Sequence, residues 1–197
     1  MLILHQLVLV VVPSTSKRRS QLAFLAAALH IISPAGIFLI APYTESPFAF
    51  LNFLGQLLYV YSWPRHGGEH GVVHDIAIVL SGLCFGVSAT VRGNGLLSGI
   101  LFFTDVVVWL AVRLEDDLQI RLLNIARCSP SLLAEIRSIP FRRLPATIFA
   151  GLLLAIGFSG PQYIAYLQFC STEHEHKPLW CQKIPPSIYS WVQNHYW

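Results

Sequence analysis

Charged side chains are scarce in this chain, with 13 Lys and Arg and 10 Asp and Glu among 197 residues, so those set among apolar neighbours are where chemistry is to be sought. Glu45 stands in "APYTESPFAF". Pro42 fixes a turn before it, and Pro47 suits the opening of a following helix, where a missing N–H costs least. Tyr43, Thr44, Glu45 and Ser46 are therefore expected together at the end of a tight helical hairpin. A carboxylate beside hydroxyls there can hold a polar substrate; a re-entrant turn capped by polar residues is the competing reading. A second turn, "SATVRGNGLLSG", places Arg92 and Asn94 around Gly93 and Gly95. Glycine lets backbone approach a ligand closely, and the arginine fork matches phosphate. An arginine reaching back to the membrane interface explains the same residue without a ligand.

Three further ionisable groups lie in apolar surroundings: His30, Asp75 and Asp105. Such groups are costly inside a membrane and tend to face a protein interior or a wet cavity. A neutral imidazole bonded to a neighbouring helix accounts for His30. Asp75 falls near the end of an apolar run, where water reaches it. Asp105 is deeper and has no arginine nearby in sequence, so it is expected to pair across helices or to be protonated. His66, His70 and His74 recur every four residues in "RHGGEHGVVHD", a spacing that suits metal ligation on a helix. Gly67, Gly68 and Gly71 argue against a helix there, and no metal site is assigned.

The elements that must position these groups are membrane helices. Hydrophobic residues make up 54% of the chain, charged ones 12%, and the mean hydropathy is +0.58. Apolar runs approach the roughly 20 residues needed to cross a bilayer core, and backbone in lipid must satisfy its own hydrogen bonds. The expectation is an all-α, polytopic transmembrane protein with spans at Leu22 to Ala41, Pro47 to Trp63, Val72 to Val91, Gly95 to Val112 and Leu144 to Phe169. Pro161, after Gly157 and Gly160, is expected to kink or end the last of these. Met1 to Val12 is apolar but too short for a span of its own.

Orientation follows the cations near span ends. With "PSTSKRRSQ" in the cytosol, ten of the 13 Lys and Arg share that side, and only Arg92, Lys177 and Lys183 face the other. The same threading puts residues 113–143 on the cytosolic surface as an interfacial segment, and exports "APYTES", "VRGNG" and the luminal segment 170–197. Cys84 then lies in a span and Cys128 in the cytosol, whereas Cys170 and Cys181 share an oxidising lumen. A disulfide between them fits that compartment; spacing alone does not establish it. No phosphate-binding Walker loop, dinucleotide fingerprint, zinc-protease motif or internal repeat occurs, which sets aside the soluble enzyme templates.

Three ordered blocks carry a resemblance: "ISPAGIFLIAPYTESPFAFLNFLG" at 32–55, "SATVRGNGLLSGI" at 88–100 and "PLWCQKIPPSIYSWVQNHYW" at 178–197, with "GPQYIAYLQFC" at 160–170 between the last two. Together they resemble the phosphatidylinositol-glycan class V family of mannosyltransferases, which act in glycosylphosphatidylinositol (GPI) anchor synthesis. The resemblance implies a GT-C-type glycosyltransferase fold in the endoplasmic reticulum membrane. It implies dolichyl phosphate mannose as donor, a GPI precursor glycolipid as acceptor, transfer of the second mannose in α-1,6 linkage, and no further cofactor. Membrane lipid and a small membrane subunit are the other partners it brings, and nucleic acid has no place in it. Tyr43, Glu45, Arg92, Asn94 and His195 become the substrate-binding candidates. Family members are longer, so the 197 residues read as one multi-pass membrane domain incomplete at both ends. The acidic residue expected in a first luminal loop has no counterpart here, and the catalytic residue stays unassigned. A noncatalytic membrane subunit or a transporter-like protein is the other reading, since transporters also build sites from broken helices.

Overall fold

The computed structural model describes residues 2–13, 18–32, 44–63, 71–117, 143–170 and 179–182. Every regular element among them is helical: α1 (Leu2–Val11), α2 (Arg19–Ile32), α3 (Glu45–Tyr61), α4 (Val72–Val91), a 3-10 helix (Gly93–Ser98), α5 (Gly99–Asp117), α6 (Arg143–Phe169) and a short 3-10 turn (Leu179–Gln182). Among the described residues three helices are long and apolar enough to cross a membrane, spanning Val72–Val91, Gly93–Ala111 and Arg143–Phe169. Five such spans were expected from hydropathy. The first falls short because the described residues hold only its portion up to Ile32, within the 14-residue α2. The second, α3, is 17 residues long and carries a line of polar side chains that lowers its hydropathy.

α4 is the central helix, packed against α3 on one side and α6 on the other. Its buried residues are Ile78, Ser81, Gly82, Phe85, Gly86, Ser88 and Ala89, a stripe at three- and four-residue spacing. Lipid tails are as apolar as leucine, so helices in a bilayer gain little from hydrophobic burial against each other and associate through close packing of small residues. That is the contact between α4 and α6. A Cβ built on Gly82 would lie 2.5 Å from the Ala150 Cα, and one on Gly86 would lie 2.7 Å from the Leu153 carbonyl oxygen. On the other side Gly55 of α3 admits the Phe85 ring, and the Ser81 hydroxyl donates to the Gly55 carbonyl at 2.8 Å. Phe85, Phe102, Ile78, Ala89, Ala150 and Leu154 form the buried cluster around this axis.

Packing this tight predicts an asymmetric response to added volume. Gly82→Val would push α6 off α4 and destabilise the protein by about 1–3 kcal/mol, the usual cost of overfilling a packed contact. Gly151→Ala meets no atom within 4 Å and leaves the midpoint of thermal unfolding in detergent unchanged. Equal midpoints for both variants would show that the α4–α6 contact is not the tight one described.

α6 runs through Pro161 to Phe169, so of the two outcomes expected of the Gly and Pro residues, a kink or an end, the end does not occur. The proline ring faces the carbonyl four residues back, and that residue is Gly157, whose missing side chain is what lets it abut Gly86 of α4. α5 continues to Asp117, so the first residues of the expected surface segment 113–143 are helical; residues 118–142 of it, with Cys128, lie outside the described residues, and Arg143 opens α6. α1 packs against α2 and α3. The Arg19 guanidinium donates to the Leu9 carbonyl near the end of α1, so this cation caps a helix C-terminus. Cys170, at the end of α6, is joined to Cys181 in the short 3-10 turn, with 5.6 Å between their Cα atoms.

Candidate functional site

Two chain breaks create the site. α3 begins at Glu45, with Thr44 at the N-cap position and Pro47 within the first turn. α4 ends at Val91, after which Arg92 takes an extended backbone (φ −150°, ψ 125°) and the 3-10 helix starts. The Arg92 amide still donates to the Ser88 carbonyl at 3.0 Å, and the Arg92 carbonyl accepts from the Gly95 amide at 2.9 Å, so the break is short and held on both sides. Gly95 serves the packing here. A Cβ there would lie 2.7 Å from the Ala89 backbone, so the glycine lets the 3-10 helix fold onto the last turn of α4.

These breaks bring two separately identified residues together. The Arg92 Nη1 donates to Glu45 Oε1 at 3.0 Å across 47 residues of sequence. The side chains are 44% and 30% exposed, respectively, so the pair contributes at most about 1 kcal/mol to stability. The other carboxylate oxygen, Glu45 Oε2, is buried and accepts no hydrogen bond among the described residues. An unmet buried acceptor costs free energy, and a hydroxyl donor arriving at that point would relieve it. Asn94 is exposed on the adjoining 3-10 helix. Tyr43 and His195 lie outside the described residues, as do His66 and His70. His74 serves locally: its Nδ1 accepts from the Gly71 amide at 3.2 Å at the start of α4. Among the described residues no three potential ligands gather in a way that would hold a metal ion.

Below Glu45 runs a polar line that sequence reasoning missed. Asn52, Gln56 and Tyr59 follow Glu45 at intervals of seven, four and three residues, which places all four on one face of α3. Gln56 donates to Asn52 at 2.9 Å, Asn52 to the Ser98 hydroxyl at 2.8 Å, and Tyr59 to Asp105 Oδ1 at 2.7 Å. The facing residues are Arg92, Ser98 and Asp105. Polar residues at heptad intervals in an otherwise apolar helix were the available signal.

The line ends on a buried ion pair. Arg143 Nη2 lies 3.2 Å from Asp105 Oδ2, and Nη1 donates to the Ser62 carbonyl at 2.8 Å. The guanidinium carbon is 4.1 Å from the centre of the Trp63 ring. Asp105 therefore pairs across helices, one of the two outcomes expected of it, with an arginine 38 residues away. Arg143 had counted among the cytosolic surface cations. At 2% exposure it is a core residue: Asp105, Ser62 and Trp63 replace part of the solvation it gives up, while its Nε has no hydrogen-bond partner among the described residues. His30 meets α3 through a ring contact, edge-on to Phe53 at 5.3 Å, where a hydrogen bond had been expected.

The site is thus a small charged contact at one end of an apolar bundle, with a structural ion pair deeper in. The chain is similar to GPI mannosyltransferase 2 of Gibberella zeae, 36% identical over 90% of this chain and 37% of that protein, and to its namesake in Aspergillus oryzae, 39% identical over 89% and 36%. It is also similar to GPI alpha-1,6-mannosyltransferase 2 of Rattus norvegicus, 31% identical over 89% of this chain and 34% of that protein. It spans little more than a third of the length of these curated relatives. No solved structure matches it. A family model described as "Mannosyltransferase (PIG-V)" matches residues 1–197, so that Glu45 and Arg92 both fall within the matched region, and the chain belongs to that family.

Proposed function

We propose that this chain is part of an endoplasmic-reticulum mannosyltransferase of the GT-C class that adds the second, α-1,6-linked mannose to a GPI precursor, with dolichyl phosphate mannose as donor. The observation that carries the site assignment is the Glu45–Arg92 contact, which joins two motif blocks and leaves one carboxylate oxygen without a donor. Arg92 binds the donor phosphate, releasing its bond to Glu45. Glu45 then accepts a hydrogen bond from the acceptor hydroxyl and aims it at the anomeric carbon. As the hydroxyl oxygen forms its bond there from the face opposite the leaving group, the carbon–oxygen bond to phosphate breaks and the phosphate departs with the electron pair. Inversion converts a β-linked donor into an α-linked product. The guanidinium stabilises the charge gathering on the phosphate. The hydroxyl proton passes to a general base, which we do not assign to any residue of this chain; Glu45 is a positioning residue, as are Asn94, Tyr43 and His195 in contacting sugar hydroxyls.

Family membership favours this reading over a transporter or a noncatalytic subunit. The test is expression of a full-length family member carrying this segment in cells that lack the second GPI mannosyltransferase. Restored surface display of GPI-anchored proteins, with loss of the accumulated one-mannose precursor, is the expected result. Persistent one-mannose precursor despite verified membrane insertion would refute the assignment.

A further inference from the structure

Arg92 and Ser98 stand at opposite ends of the 3-10 helix, and Glu45 and Asn52 share the face of α3 that meets it. The step from Arg92 to Ser98 rises about 12 Å in 3-10 geometry, and that from Glu45 to Asn52 about 10 Å in α-helix, so the two elements can be joined at both places. Glu45 meets Arg92 at one end, and at the other Asn52 Nδ2 donates to Ser98 Oγ at 2.8 Å across 46 residues of sequence. The second bond has a fixed direction. Gln56 Nε2 donates to Asn52 Oδ1 at 2.9 Å, and a flipped Asn52 amide would set two NH2 groups against each other. A hydrogen bond between membrane helices adds little to stability, because the separated helices find other partners. What this bond supplies is position. The Arg92 amide is held by the Ser88 carbonyl and Gly95 seats the turn on Ala89, but both of those contacts are to α4. The Glu45–Arg92 bond ties the turn to α3 only until a phosphate takes the guanidinium. From then on Asn52 and Ser98 keep the two elements in register.

We infer that Asn52, acting through Ser98, is a positioning residue for the Arg92 guanidinium and sets where the donor phosphate sits relative to the hydroxyl held by Glu45. The inference rests on the reading of Arg92 as the phosphate-binding residue. Placement on this scale governs rate, since a misplacement of about 1 Å can cost about 100-fold. Gln56 serves the same end one step further back, by holding the Asn52 amide the right way round.

The test uses a full-length family member carrying this segment, in nanodiscs, with initial rates referred to folded enzyme. Asn52→Leu keeps the approximate size of the side chain and removes the bond. It raises the KM for the mannosyl phosphate donor about five- to tenfold, while the KM for the GPI acceptor stays within about twofold. The inhibition constant of a polyprenyl phosphate, the donor without its sugar, rises by the same factor as the donor KM. Ser98→Ala gives the same division, and Ser98→Thr, which keeps the hydroxyl, restores the donor KM. Where Asn52→Leu fails to insert, this serine pair carries the comparison. The deciding measurement is the cycle with Arg92→Lys. Lysine has no fork to be aimed, so in that background Asn52→Leu changes the donor KM by less than about twofold. An unchanged donor KM in Asn52→Leu and Ser98→Ala, with any loss confined to yield or unfolding midpoint, makes the bond a helix contact only and overturns the inference. Equal increases in the wild-type and Arg92→Lys backgrounds overturn it too, because Asn52 then acts on something other than the guanidinium. In both of those outcomes Arg92→Lys alone still raises the donor KM, and the phosphate reading stands. If Arg92→Lys leaves the donor KM unchanged, the phosphate reading falls and takes the inference with it.

Discussion

Glu45→Gln, in a full-length family member carrying this segment, lowers mannose transfer about 10- to 100-fold, the loss expected when a hydrogen bond to a charged group worth about 1.5–3 kcal/mol is weakened in the transition state. The substitution keeps the size of the side chain and removes its charge, so the turn and the start of α3 are preserved. Because the bridge to Arg92 is half exposed, its loss changes the unfolding midpoint little. The effect falls on kcat more than on the KM for donor. Arg92→Lys does the reverse, since lysine retains the charge that attracts phosphate but loses the fork that fixes it. Both are read by initial rates on membranes of known enzyme content, and by complementation as above. Full rescue by the Glu45→Gln protein would end the role assigned to this carboxylate. A kcat loss accompanied by an equal loss of folded protein would make Glu45 a structural residue only.

The sequence made each half of this site visible but not their meeting. Glu45 was exposed by Pro42 and Pro47, and Arg92 by its glycines, because local conformational rules act over a few residues. Their contact depends on α3 and α4 lying side by side with a particular offset. That offset is set by Gly55 against Phe85 and by the Ser81 hydrogen bond, neither of which has a periodic signature strong enough to read unaided. The all-helical class and the Val72–Val91 span were legible because a 20-residue apolar run leaves the backbone no alternative in lipid. The end of α5 was not, since hydropathy falls where charged residues begin while the helix itself continues. Arg143 shows the same limit in another form. A cation at a span boundary belongs by statistics to the membrane surface, and only the position of Asp105 on a different helix draws it inside.

That pair yields the largest stability effect expected of a single substitution here. Asp105→Asn leaves Arg143, 2% exposed, without a countercharge and weakens the acceptor of Tyr59. Removing one member of a buried ion pair costs about 3–5 kcal/mol, because the remaining charge is stranded where water does not reach. Replacing both members avoids that penalty, so Asp105→Leu with Arg143→Leu costs less than the sum of the two single changes, and the cycle shows a coupling of about 2 kcal/mol or more. The measurement is reversible unfolding in mixed detergent, followed by tryptophan fluorescence, with transfer activity determined on the folded fraction. The pair holds the far end of α3, whose near end carries Glu45, yet it touches no proposed substrate atom. Asp105→Asn therefore reduces the amount of folded protein while the folded fraction keeps its normal kcat, the opposite division from Glu45→Gln. A change in unfolding free energy below about 0.5 kcal/mol, the range of ordinary surface substitutions, would show that the ion pair is not the clamp described. A lowered kcat in the folded Asp105→Asn protein would move this buried carboxylate from the scaffold into the reaction.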